Sequence, residues 1–200
     1  MKTMPHALTA IFFLALPLVQ GCGSLLPRGA PPVPRYVVPD TALPEPAAPD
    51  AGKGETYVIG KVRASRDADG RAIRTVDAAT GRSAYFSGGE LVSPPDILVA
   101  RQLRRAVAAS RPGAVVCDAS LAPSGAARTL VECWIEEFRL VRKDGAWGFA
   151  FDALLYETPP SGETSCRRVA SEIPIASESG REPSATAVMA AIAKALAAVK

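Results

Sequence analysis

Acidic residues and cysteines are the side chains of this 200-residue chain that could carry chemistry. Three glutamates, Glu132, Glu136 and Glu137, lie close together in the segment ECWIEEF. A pair of carboxylates can serve as general acid and general base, but neighbouring residues of a strand point to opposite faces of a sheet. Glu136 and Glu137 are therefore predicted to be solvated carboxylates of a strand, and not a catalytic dyad.

Histidine, the most common general base in enzymes, occurs once in the sequence, as His6 in the N-terminal apolar segment. If that segment is removed, a Ser-His-Asp or Cys-His mechanism and a histidine metal site are unavailable within the chain. The segment SGGE, residues 87–90, lacks the lysine and the serine or threonine of a phosphate-binding loop, and is predicted to be a turn. We therefore expect no enzymatic activity, no cofactor and no metal.

Cys22 stands at the end of an N-terminal targeting pattern. Lys2 precedes the apolar run ALTAIFFLALPLV, which at about 13 residues is too short to cross a bilayer as a helix. Gly21 and Cys22 follow in an order that resembles a bacterial lipoprotein lipobox. This order predicts a signal peptide over residues 1–21 and a lipid anchor on Cys22, in which each buried methylene contributes roughly 0.8 kcal/mol. An ordinary secretory signal followed by an incidental cysteine is the alternative.

The residue after the lipidated cysteine helps to select the membrane in lipoproteins of this type. Gly23 is not the aspartate associated with retention in the inner membrane. We therefore expect the protein at the periplasmic face of the outer membrane.

Three further cysteines, Cys117, Cys133 and Cys166, would face an oxidising compartment, so at most one disulfide can form within the chain. If the strands after the first helix form a meander, Cys117 and Cys133 lie on adjacent strands. Cys133 and Cys166 would have a strand between them, at roughly 9.6 Å, beyond disulfide reach. A Cys117–Cys133 disulfide with Cys166 free is thus predicted, and three reduced, buried cysteines are an equally weighted alternative.

Composition divides the rest of the chain into a tether and a folded domain. Residues 23–55 contain eight prolines, mostly separated by glycine and alanine, and such a chain is extended and builds no core. Residues 22–55 are therefore predicted to be the lipidated cysteine and its tether, in which RYVV, residues 35–38, is able to dock on a sheet. Residues 56–200 are enough for one domain with a genuine core.

Within this domain, hydrophobic periodicity predicts strands, a helix, further strands and a second helix. The segment SPPDILVARQLRRAVAAS has prolines and Asp96 at its start and an apolar stripe through Val99, Leu103, Ala106 and Val107. The segment AWGFAFDALLYE alternates with the period of two that is typical of a strand. A meander of three strands and a helix capped by Ser184 complete the chain. The predicted fold class is α+β, a mainly antiparallel sheet with two helices packed on one face.

Charge indicates little about partners. The formal net charge of +3 is too small to predict nucleic-acid binding. The arginine cluster RQLRR, residues 101–105, could bind lipid headgroups or an acidic partner, but a solvated helix face explains it more simply.

Several weak motifs follow one another along the chain: the lipobox cysteine, RYVV, YVIGKV, YFSGGELVSPPDILVARQL, VECWIEEFRLV and the amphipathic C-terminal helix. In this order they resemble the ABC-type transport auxiliary lipoproteins, the PqiC-like family that accompanies MCE-type lipid transport systems. The motifs cover nearly the whole chain after Cys22. Leu91 departs from the pattern, because the family often has tryptophan before the prolines.

The resemblance implies a non-enzymatic part of an envelope lipid-transport machine, anchored in the outer membrane. Its expected partners are a periplasmic MCE-type protein and ABC transporter subunits, and it would act by tethering and docking, in some cases as a ring-forming homo-oligomer. A structural or assembly lipoprotein of another envelope complex, such as a secretion or pilus apparatus, is the alternative, and neighbouring genes would discriminate the two. An enzyme acting on envelope lipid or peptidoglycan would require a carboxylate pair that meets in a cleft.

Overall fold

A computed structural model describes residues 32–39, 55–122, 127–178 and 181–199. The predicted signal peptide, Cys22 and most of the predicted tether lie outside these residues. The strands are β1 (Arg35–Tyr36), β2 (Thr56–Ala64), β3 (Ala72–Asp77), β4 (Ser83–Leu91), β5 (Val115–Asp118), β6 (Arg128–Lys143), β7 (Ala146–Thr158) and β8 (Ser165–Ile175). The helices are α1 (Pro95–Ser110) and α2 (Ala185–Leu196), with a 3-10 turn over Ala119–Leu121. In the described part of the chain, no helix is long and apolar enough to span a membrane.

The described strands form one sheet arranged around the long strand β6. On one edge β6 pairs antiparallel with β7, which pairs antiparallel with β8. On the other edge β2 runs parallel to the first half of β6 and β3 runs parallel to the second half. β5 extends the sheet beyond β2, while β4 and then β1 extend it beyond β3.

The predicted α+β class and the β6–β7–β8 meander are confirmed, and the meander supplies the longest pairings of the sheet. The rest of the sheet adds parallel pairings that the sequence did not predict: β2 with β5 and β6, β3 with β6, and β1 with β4. Parallel neighbours require long crossover connections. Here β3, β4 and α1 together form the connection from β2 to β5, so the sheet is mixed.

The core lies on one face of the sheet. The alternation predicted for β7 is confirmed, since Phe149, Phe151, Ala153 and Leu155 are buried on that face. Phe138 of β6 packs edge-on against Phe149, with ring centroids 4.8 Å apart. Edge-to-face contacts of this kind add about 0.5–1.5 kcal/mol to what the burial of apolar area contributes.

The two helices cover this core face. In α1 the predicted stripe residues Val99, Leu103 and Ala106 are buried against β2 and β5, with Pro95 and Asp96 in the first turn. The expectation of a solvated arginine face holds only in part, because Arg105 is buried.

Helix α2 packs over β7 and β8. Its N-cap is Ser184, as predicted, whose hydroxyl accepts a hydrogen bond from the Ala187 N–H at 3.3 Å. The Gln102 amide of α1 donates to the Val199 carbonyl just after α2, at 3.5 Å, so the two helices belong to one layer.

Candidate functional site

The three cysteines of the folded domain are free and lie far apart in the sheet. Cys117 on β5 lies opposite Val58, whereas Cys133 on β6 lies opposite Val62, and β2 runs between them. Two strand spacings amount to about 9.6 Å, beyond the Cα separation that a disulfide spans. The predicted Cys117–Cys133 disulfide therefore does not fit this fold, because it assumed that β5 and β6 are neighbours.

The environments of the thiols differ. Cys133 is buried in the core, and burial raises its pKa to about 12, so it stays a protonated thiol at neutral pH. Burial also raises the pKa of Cys117, and Asp118 adds to the effect. Cys166 is exposed at the start of β8. For both Cys117 and Cys133 the leading influence on the pKa is burial and not a cationic neighbour, as an activated nucleophile would have.

The prediction that Glu136 and Glu137 point to opposite faces is wrong, because a β-bulge interrupts β6. Ile135 pairs with Ala153 and Glu137 pairs with Asp152, so Glu136 is the extra residue. The Ser65 hydroxyl donates to the Glu136 carbonyl at 2.8 Å and holds the bulge in place. Ile135 and Phe138 consequently both face the core, and both glutamates lie on the opposite face of the sheet.

That opposite face, on which none of the described helices packs and which is here called the outer face, bears a row of ion pairs. Arg168 of β8 donates through Nε to both carboxylate oxygens of Asp152, at 2.9 and 3.1 Å, and its Nη2 also contacts Asp152. The same Nη2 lies 3.8 Å from Glu136, and Arg139 binds Glu137 at 2.6 Å. These hydrogen bonds from Arg168 hold the pKa of Asp152 below its usual value.

Each of these three carboxylates has an arginine partner, but Arg168 is shared by Asp152 and Glu136, so two arginines offset most of the negative charge of the row. A catalytic pair would need one carboxyl group held protonated, which requires a raised pKa. The pKa of Asp152 is instead lowered. Among the described residues, no cluster of three or more His, Cys, Asp and Glu side chains could hold a metal ion. This row of paired charges is suited to electrostatic recognition.

Next to this row, the outer face has a shallow pocket of about 330 Å³. Trp134 of β6, itself 39% exposed, lies in it beside Tyr156 of β7, and Lys61, Arg63 and Glu132 complete the lining together with Cys133. Tryptophan and arginine are enriched at the centres of protein interfaces, whereas lysine and glutamate are more typical of the polar rim. The sequence did not predict this pocket, because an apolar residue in a strand is usually assigned to the core and nothing in the sequence distinguishes Trp134 from its buried neighbours.

A second candidate is the place where the predicted tether enters the sheet, here called the tether dock (Pro34–Val38 on β4). The Glu90 N–H donates to the Pro34 carbonyl at 2.8 Å and the Val92 N–H donates to the Tyr36 carbonyl at 2.9 Å. Val38 is buried in the core. The prediction that RYVV can dock on the sheet is confirmed, and this docked strand lies within the segment that the sequence assigned to the tether.

The dock explains the glycines of SGGE, which lie in β4 and not in the predicted turn. Gly89 has a φ of +137°, and a Cβ there would lie 2.5 Å from both the Pro34 carbonyl oxygen and the Tyr36 ring. Only glycine allows β1 to approach so closely. The neighbouring Leu91, where the PqiC-like pattern often has tryptophan, is buried in the core.

A groove of about 460 Å³ opens on the core face, between the C-terminal half of α1 and the ends of β7 and β8. Its floor is apolar, with Leu103, Val131 and Leu155. Tyr57 donates to Glu55 at 3.1 Å, and Arg111 lies over the Tyr57 ring at 5.9 Å from its centroid. Burial and the bond to Glu55 raise the pKa of Tyr57, so it remains a neutral phenol.

Comparisons with solved structures define the class of fold. The chain is similar to the crystal structure of a DUF330 protein from Xanthomonas campestris, with a TM-score of 0.64 and 16% identity over 83% of this chain and 90% of that one. It is also similar to an uncharacterized protein of known structure, with a TM-score of 0.56 and 17% identity over 82% of this chain and 90% of that one. At such identities the likeness shows the fold alone.

No protein-family model matches the sequence. No curated protein matches it either.

Proposed function

We propose that this protein is a non-enzymatic outer-membrane lipoprotein component of an MCE/ABC-type intermembrane lipid transport system, which acts by tethering and by docking periplasmic partners. The observation that carries the proposal is the tether dock. The segment predicted to link the lipid on Cys22 to the domain contains a strand of the sheet, β1, with Val38 in the core. Force on the anchor would therefore be transmitted to the sheet and not to a loose loop.

The outer face supports the docking part of the proposal. It leaves Trp134 exposed within a pocket that has both cations and a carboxylate. Such a surface binds a protein partner through one aromatic anchor and a polar rim. The DUF330 fold and the PqiC-like order of motifs are compatible with this role.

The anchor is tested by Cys22→Ala. Loss of the acylated cysteine removes the lipid, so the variant should leave the membrane fraction and appear among soluble proteins after cell fractionation. A variant that still sediments fully with membranes would overturn the proposed lipid anchor.

The docking role is tested by photo-crosslinking in native membranes, with a photoreactive residue in place of Trp134. We expect adducts with MCE-type or ABC-transport subunits, identified by mass spectrometry. The control places the same residue at Ile97, which is 49% exposed at the start of α1. Adducts with secretion or pilus subunits only would establish the alternative complex, and the absence of any envelope partner from both positions would refute docking.

A further inference from the structure

The longest unpaired edge of the sheet is β8. Its 11 residues pair with β7 on one side only, and no described element pairs with its other side. The other two edge strands are short, with four residues in β5 and two in β1. Long edges with free N–H and C=O groups are templates for pairing with another chain. β8 is therefore the edge on which an additional strand would gain the most hydrogen bonds.

Pro174 indicates which backbone groups face this free edge. Proline has no N–H to donate, so inside a strand it occupies positions whose nitrogen faces away from the neighbouring strand. Backbone groups alternate along a strand, so those of Cys166, Arg168, Ala170 and Glu172 face the free edge with that of Pro174. The side chains of these residues share one face, and Arg168 identifies it as the outer face.

The charges along this edge are self-complementary. Suppose that a second copy of β8 pairs antiparallel with the first, with a two-fold axis at Ala170. Arg168 of each copy then lies opposite Glu172 of the other, so the pairing contains two such pairs of opposite charge. Both side chains lie on the outer face, and Arg168 is 64% exposed although it binds Asp152. Parallel pairing in register would instead place Arg168 opposite Arg168, and like charges opposite each other are destabilising.

We propose that two copies of this chain associate through their β8 strands, antiparallel and centred on Ala170, to form one continuous sheet. The inference concerns the folded domain and does not rest on the proposed function. Opposite charges that face each other on neighbouring strands stabilise the pairing, in addition to the hydrogen bonds of the ladder.

The helix layer fits this arrangement. Helix α2 contacts both β7 and β8, so it lies close to this edge on the core face. A helix centred between two strands about 4.8 Å apart would lie about 10 Å from its copy across the paired edge, which is the usual distance of packed helices. Most of the residues that α2 leaves at least partly exposed are small; they are Ala185, Thr186, Ala187, Ala190, Ala193 and Lys194. Small side chains suit the close approach of a second helix.

The register is tested by disulfide trapping of the purified full chain. In the proposed pairing Cys166 lies opposite Pro174 of the second copy, about 5.5 Å away between Cα atoms, which suits a disulfide. Pro174→Cys should therefore give a covalent dimer on non-reducing gels after mild oxidation with copper phenanthroline. Within one chain these two positions lie about 26 Å apart, so they cannot bond to each other.

Glu172→Cys is the matched control. It places the new thiol two residues out of register with Cys166 of the second copy, at about 7–8 Å, and should give little dimer. Pro174→Cys combined with Cys166→Ser should give none. Equal trapping of the two single variants, persistence of the dimer without Cys166, or no dimer from Pro174→Cys would each overturn the proposal.

Glu172→Lys tests the charges without any added cysteine. It places an ammonium group opposite Arg168 of the second copy, so the dimer of the purified protein should be lost in light scattering at about 100 µM, a concentration that exceeds a dissociation constant in the micromolar range. A wild-type protein that is monomeric at this concentration, or a Glu172→Lys variant that dimerises equally well, would also overturn it.

Discussion

At the scale of single residues, Asp152 carries the electrostatics of the outer face. It is buried, and its two oxygens accept three hydrogen bonds from Arg168. A carboxylate whose pKa is lowered on folding adds stability above its unfolded pKa, which for aspartate is about 3.9, and this stability is lost as the pH falls through the folded value. The bond pattern thus predicts how acid acts on this domain.

Asp152→Asn should lower the free energy of unfolding by about 1–3 kcal/mol at neutral pH, because it removes the charged partner of Arg168. The difference from wild type should be largest above about pH 5 and should shrink as the pH falls below about 4, because the aspartate is protonated first in the unfolded state and, at still lower pH, in the folded state. Urea denaturation over a series of pH values measures it. Glu163→Gln, an exposed residue of the β7–β8 turn, is the control and should change the free energy by less than about 0.5 kcal/mol. A pH-independent difference for Asp152→Asn would contradict the ion-pair account.

The cysteines permit a second test at this scale. Since all three described cysteines are free and differ in burial, alkylation of the native protein should follow exposure. Cys166 should react first and Cys117 more slowly, whereas Cys133 should react only after denaturation, because it is buried and its pKa is about 12. Peptide mass spectrometry of labelled protein measures the three rates. A Cys117–Cys133 disulfide, found as a linked peptide without reductant, would contradict this strand order.

At the scale of elements, the tether dock depends on one buried residue beside an exposed one. Val38 is buried in the core, whereas Val37 is 68% exposed. Val38→Ala should lower the free energy of unfolding by about 1–2 kcal/mol, because it removes two buried methyl groups and leaves a small cavity. Val37→Ala is the matched control and should change it by less than about 0.5 kcal/mol. Chemical denaturation of both variants measures the difference, and equal values would mean that this segment is not part of the core.

Local patterns predicted the elements better than they predicted their neighbours. The alternation in β7, the stripe of α1 and the Ser184 cap are local features, and all three are confirmed. The order of strands is not local. Nothing in the residues of β2 and β3 shows that both run along the same edge of β6, more than 60 residues later in the sequence. The disulfide prediction failed for this reason.

The candidate site shows the same limit. The bulge at Glu136 depends on the hydroxyl of Ser65, which directly follows β2 and is distant in sequence. A one-residue bulge moves each later side chain of the strand to the other face of the sheet than simple alternation predicts. Gly89 was equally hard to interpret, because its need for a positive φ arises from β1 and not from a turn. Sequence composition located the proposed anchor, whereas the surfaces of the folded domain depend on contacts between distant segments.

At the scale of the whole molecule, β6 joins the parts of the described domain into one cooperative unit. It pairs with β7 on one edge and with both β2 and β3 on the other. A single core cluster includes Val38 near one end of the described chain and Val199 near the other. Elements that share one core unfold together in most domains of this size.

The two tryptophans test this cooperativity, because they report on different layers. Trp134 lies on the outer face, whereas the Trp147 indole N–H donates to the Arg181 carbonyl at 2.9 Å, just before α2. Each tryptophan can be observed alone by fluorescence: the Trp147→Phe variant reports on Trp134, and the Trp134→Phe variant reports on Trp147. Within each variant, we expect the urea midpoint from fluorescence to coincide with the midpoint from circular dichroism, since both layers rest on the same core. An earlier fluorescence transition in Trp134→Phe alone would mean that α2 detaches first, and that the helix layer required by β8 pairing is a separate, weaker unit.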